Sequence, residues 1–138
     1  YKRQAEGTEL SLPELEAMHQ AKTGALIQSS LLVGAYCAEV APEDPRIALL
    51  KDFGAKIGLA FQVVDDILDV TESSEILGKP AGSDEAQDKN TFPRLMGLDA
   101  ATRRADELLE DSLSLLQQAG LATELLTGLA NRAVKRRY

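Results

Sequence analysis

The residues with most chemistry to offer lie in Gly58-Leu-Ala-Phe61-Gln62-Val-Val-Asp65-Asp66-Ile-Leu-Asp69-Val70. From Ile57 to Val70 the only polar side chains are Gln62 and three aspartates. On a helix, Asp65 and Asp69 stand four positions apart and Asp66 and Asp69 three, so the spacing predicts three carboxylates on one rim. Like charges at that spacing repel, and Asp is a poor helix former. Apolar flanks raise the cost of desolvating them. Such a cluster calls for a compensating cation. Oxygen ligands on a rigid helix suit Mg²⁺, which takes one or two carboxylates and fills its other positions with water and phosphate oxygens. The competing interpretation is a solvated acidic stripe, which would have more polar neighbours. Gln62 is unusual in an apolar run, because a buried amide needs partners.

The elements that must carry these residues read as helices. Ser11-Leu12-Pro13-Glu14 fits a capping box with proline in the first turn. Apolar residues at Leu15, Met18, Ala21, Ala25, Leu26, Leu32, Val33 and Tyr36 then predict a helix to about Val40. Asp44 with Pro45 opens a second helix, running to about Ser73, with Gly54 and Gly58 inside it as points of close helix contact. Residues 74–90 form the longest loop candidate. Thr91 caps a short helix over Phe92–Met96, which Gly97 stops. Asp99 is expected to cap a fourth helix to Ala119 ended by Gly120, and Thr123 a last one through Arg136. No segment alternates with period two, so the fold class is all-α.

Composition narrows the function. The 138 residues suit one domain, and 15 Lys+Arg against 22 Asp+Glu give a charge of −7, which argues against a nucleic-acid binder. A single cysteine, Cys37, excludes an intramolecular disulfide or a cysteine-based zinc site. No apolar run approaches the ~18–20 residues of a membrane span. No basic-then-apolar signal peptide opens the chain.

Phe61-Gln62-x-x-Asp65-Asp66-x-x-Asp69 resembles the second aspartate-rich motif of the trans-isoprenyl diphosphate synthases, short-chain members above all. Three further stretches agree in order. His19-Gln-Ala-Lys22-Thr23-Gly24 is similar to the family's Lys-Thr motif. Leu77-Gly78-Lys79-Pro-Ala-Gly82-Ser-Asp84 resembles the Gly-Lys loop after the aspartates. Asp88-Lys89-Asn-Thr91-Phe92-Pro93 is similar to a Gly-Lys-x-Thr-Tyr-Pro segment, with Asp88 in place of the glycine and Phe92 in place of the tyrosine. Residues 1–138 then read as the C-terminal portion of one all-helical isoprenoid synthase-type bundle.

The resemblance implies a prenyltransferase that ionises an allylic diphosphate so that isopentenyl diphosphate attacks the cation, giving a farnesyl or similar short-chain product. It implies Mg²⁺ held by Asp65, Asp66 and Asp69, with Asp65 the direct ligand. Lys22, Lys79, Lys89 and Arg136 would bind diphosphate. The Lys22 carbonyl, the Thr23 hydroxyl and the Gln62 amide would face the allylic cation. His19 is expected to be structural, and the basic end Arg132–Arg137 fits equally a solvated helix terminus. A cytoplasmic homodimer is expected. The alternatives are a longer-chain synthase, a non-catalytic subunit of a heteromeric one, or an unrelated helical module. The family's first aspartate-rich motif has no counterpart here, so the chain alone is expected to be inactive. The helix over 45–73 is expected to expose apolar faces.

Overall fold

Four helices begin where the sequence supplies a cap. At the first, the Glu14 carboxylate accepts hydrogen bonds from both the Ser11 backbone N–H (2.9 Å) and the Ser11 hydroxyl (2.6 Å). Asp44 accepts from the Arg46 N–H and pairs with its guanidinium at 2.7 Å. Those bonds hold the Asp44 carboxyl down at about 2. Thr91 and Thr123 each accept from the N–H three residues on, of Arg94 and Leu126.

The computed structural model describes residues 10–77 and 90–136. Its elements are α1 (Leu12–His19), a π-helical turn (Gln20–Gly24), α2 (Ala25–Cys37), α3 (Pro45–Leu77), α4 (Phe92–Met96), α5 (Leu98–Gln118) and α6 (Glu124–Val134). The fold is all-α, as the sequence predicts, with no strand among the described residues. Among them, too, no helix is long and apolar enough to cross a membrane.

Four features of the helices differ from expectation. The first helix is not uniform: at Gln20–Gly24 it widens, and the Ala25 N–H reaches back five residues to the Gln20 carbonyl. Such π-turns are frequent at functional sites. The fourth helix starts after Gly97, whose φ of 86° turns the chain, so Asp99 lies in the first turn rather than at the cap. The last helix stops at Val134, and Arg136 has left it. The second helix runs on to Leu77. The loop that carries Lys79 and Lys89, and the departure at Asp88, fall outside the described residues.

α3 is the axis, 33 residues or roughly 50 Å at 1.5 Å per residue. It packs against α1, the π-turn, α2, α4, α5 and α6. Its Phe53, Ile57, Leu59, Ala60, Val63 and Val64 form the core with Leu15, Phe92, and Ala101, Ala105, Leu108, Leu109 and Leu116 of α5. This corrects the expectation that the helix over 45–73 exposes apolar faces; exposure falls instead on α2, which has no buried residue. The α2–α3 contact is close because both predicted glycines are needed. A Cβ on Gly58 would lie 2.6 Å from the Gly24 Cα, and one on Gly54 2.8 Å from the Gln28 Cα.

Candidate active site

The glycine contact seats the π-turn on α3 one helical turn before Gln62. Lys22 and Thr23 are on that turn, Lys22 exposed and Thr23 half-buried. One turn earlier, at the end of α1, His19 is buried against the same stretch of α3. Its Nδ1 lies 3.0 Å from Gln62 Oε1. The other end of the amide, Gln62 Nε2, donates to Asp65 Oδ2 at 2.9 Å. Gln62 is buried at 6% exposure, and the partners that a buried amide requires are thus supplied from one side by α1 and from the other by α3 itself. Its carbonyl is engaged by the imidazole, not free.

Adjacent aspartates point to different partners. Asp65 Oδ1 receives the Arg136 guanidinium at 2.6 Å. The same guanidinium donates to the Phe61 carbonyl at 3.2 Å and lies 4.0 Å from the centre of the Phe61 ring. Asp66 Oδ2 accepts the Phe92 backbone N–H at 3.0 Å and lies 3.8 Å from His19 Nε2. The Phe92 ring is fully buried and stacks on His19, centroids 5.6 Å apart. That packing uses the ring alone, and the contact of this segment with the aspartates runs through its backbone. Asp69 is exposed on the outer side of α3.

The expected convergence of the three carboxylates is therefore corrected: among the described residues no group of three or more His, Cys, Asp or Glu side chains could hold a metal ion. The reason is local. Like-charged neighbours on one helix separate when each has its own donor, and Gln62, Arg136 and the Phe92 N–H provide those donors. The donor set still fits magnesium. That ion takes only one or two protein carboxylates and keeps water and phosphate oxygens, and Asp65 and Asp69 stand one helical turn apart with surface access.

Sequence reasoning places Arg136 on a diphosphate; the structure places it on Asp65. Sequence reasoning gives His19 a structural role and notes Phe92 only as a departure from the family's tyrosine, whereas both touch the aspartate motif. The one available signal was the pairing of a histidine and an apolar-run glutamine within a fold that must satisfy both.

Comparison with known proteins identifies the family. A family model described as polyprenyl synthetase matches residues 2–125. The chain is 42% identical over 137 residues to the farnesyl diphosphate synthase of Escherichia coli, covering 96% of this chain and 45% of that protein. It is 43% identical over 129 residues to geranylgeranyl pyrophosphate synthase 7 of Arabidopsis thaliana, covering 93% and 37%. The structure of the Helicobacter pylori geranyltransferase complexed with magnesium and isoprenyl diphosphate superposes with a TM-score of 0.73 at 35% identity, covering 96% and 43%. The chain thus spans less than half the length of these relatives. With the aspartate motif, the Lys-Thr turn and their helices in family order, this chain belongs to the polyprenyl synthetase family.

Proposed function

We propose that this chain forms the allylic-diphosphate side of a prenyltransferase that condenses isopentenyl diphosphate with an allylic diphosphate. The observation that carries this is the seating of the Lys22–Thr23 turn on α3, with Asp65 at the surface one turn beyond the buried Gln62. The relatives named above support it, being synthases of farnesyl and geranylgeranyl diphosphate.

Leaving-group charge is the central difficulty of such a reaction. As the allylic C–O bond ionises, negative charge grows on the diphosphate and must be met by fixed cations. Magnesium, when bound, neutralises that charge as a Lewis acid. Asp65 and Asp69 would hold it, while Asp66 stays tied to the Phe92 N–H and keeps α4 against α3. Lys22 is a compact cation on a flexible stem, suited to a diphosphate oxygen; Lys79 and Lys89 are proposed for the same task. Thr23 presents a neutral dipole, which can face positive charge without trapping it, while Gln62, engaged at both ends, holds Asp65. Arg136 holds Asp65 until a second cation arrives, and its release would free a guanidinium for the homoallylic diphosphate.

The test exchanges the matching part of the E. coli relative for residues 1–138 and measures prenyl transfer from isopentenyl diphosphate with Mg²⁺. Asp65→Ala in that protein is expected to lower kcat by on the order of 10²–10³-fold, the range for losing one group aimed at developing charge. Unchanged kinetics would remove the proposed role of Asp65.

A further inference from the structure

The imidazole of His19 has no part in the function proposed above. Among the described residues it nevertheless holds the one buried side-chain nitrogen or oxygen without a hydrogen-bond partner, Nε2. Its other nitrogen is well placed, and the proton on it follows from the neighbours. Asp65 is a carboxylate and only accepts, so Gln62 must turn its NH₂ toward it, at 2.9 Å. The Gln62 carbonyl then faces His19 at 3.0 Å, and a carbonyl also only accepts. Nδ1 must therefore carry the proton. The ring is fixed in that orientation by stacking on the buried Phe92 and by its own burial at 7% exposure.

A chain of oriented donors results: His19 Nδ1–H to Gln62 Oε1, then Gln62 Nε2–H to Asp65 Oδ2. Without the first link nothing holds the Gln62 carbonyl from its buried side, and the amide could swing away from Asp65. We propose that His19 is a positioning residue, which anchors the Gln62 amide by its carbonyl and through it holds the rotamer of Asp65. The proposal rests on Asp65 being a cation ligand. Hydrogen bonds to a ligating group orient it, and removing such a partner commonly costs 10–100-fold in metal affinity.

Two measurements on the 138-residue chain test this. The first is ¹⁵N NMR of the His19 ring. A proton on Nδ1 is expected, and a bare Nδ1 with the proton on Nε2 overturns the proposal. The second is Mn²⁺ binding followed by electron paramagnetic resonance, with circular dichroism to verify folding. His19→Asn offers an amide NH₂ near the Nδ1 position, so its affinity should stay within about threefold of the unsubstituted chain. His19→Gln is polar and of similar length but reaches instead to the Nε2 position; it should bind about tenfold more weakly, as should His19→Phe. Equal affinity across all three variants overturns the proposal. If the unsubstituted chain and Asp65→Asn bind Mn²⁺ alike, Asp65 is not the ligand. The tautomer then decides separately whether His19 orients Gln62.

Discussion

α2 and α3 lie against each other, yet they are treated oppositely by the fold. α3 buries Ile47, Leu50, Phe53, Ile57, Leu59, Ala60, Val63 and Val64. α2 buries no residue, and Leu26, Val33 and Tyr36 stand 70%, 60% and 44% exposed. Composition alone suggests the reverse, since α2 carries no charged residue and α3 carries nine; neighbours decide. α3 has a helix on each side, whereas α2 leans on α3 along one edge. The inner edge is fitted to the limit of backbone contact, with Gly24 against Gly58 and the Gln28 amide donating to the Lys51 carbonyl at 2.9 Å. The outer edge is fitted to nothing among the described residues. An apolar residue on α3 therefore reports packing, and the same residue on α2 reports which edge it occupies.

The same substitution should have opposite signs on the two sides of this pair. Gly58→Ala places a methyl 2.6 Å from the Gly24 Cα, and backbone cannot step aside as a side chain can. The helices must separate, at a cost of about 1–3 kcal/mol, the usual range for overpacking. The π-turn should move with them and lengthen the His19–Gln62 hydrogen bond. Gly34→Ala on the open edge of α2 meets nothing within 4 Å. It should stabilise by about 0.5–1 kcal/mol through helix propensity alone. Urea unfolding of both variants checks this, and destabilisation by Gly34→Ala would mean that α2 is packed on both edges.

How much of this was legible depended on whether the signal was local. Caps at Ser11, Asp44, Thr91 and Thr123 need only a few neighbouring residues, and they are where the sequence puts them. Gly54 and Gly58 were legible as close contacts because glycine in a helix interior otherwise costs stability. The π-turn was not, since one added residue leaves the apolar spacing of an ordinary helix almost intact. The aspartates were legible as a chemical cluster but not in their partners. Arg136 is 71 positions from Asp65, and the Phe92 N–H is 26 from Asp66, and no periodicity encodes either. Backbone donors in particular carry no residue signature.

The Arg136–Asp65 pair is the next, smaller test, because it lies at the open end of the buried network. Its side chains are 30% and 38% exposed. Solvent screening limits such a pair to about 0–1 kcal/mol, despite its short distance. Stacking on Phe61 adds a similar small amount. Arg136→Ala should therefore lower stability by about 2 kcal/mol at most, with the loss shrinking in 1 M salt. Thermal unfolding at low and high salt reads this directly. A loss of several kcal/mol, independent of salt, would place the pair in the core rather than at its edge.

The smallest effect is expected on the outer edge of α2, from Leu26→Gln and Val33→Gln together. Neither side chain loses burial worth counting in this structure, since each is already more than half exposed. Gln is as good a helix former as Leu and better than Val, so propensity does not oppose the change. Stability of the folded chain should stay within about 0.5 kcal/mol, as for surface positions generally. Self-association should fall, because contiguous apolar surface is what drives it. Light scattering at rising concentration, beside urea unfolding at one fixed concentration, separates the two quantities. Should the double variant lose about 2 kcal/mol or more, this edge of α2 is covered in solution, and the contrast with α3 would be one of visible neighbours rather than of burial.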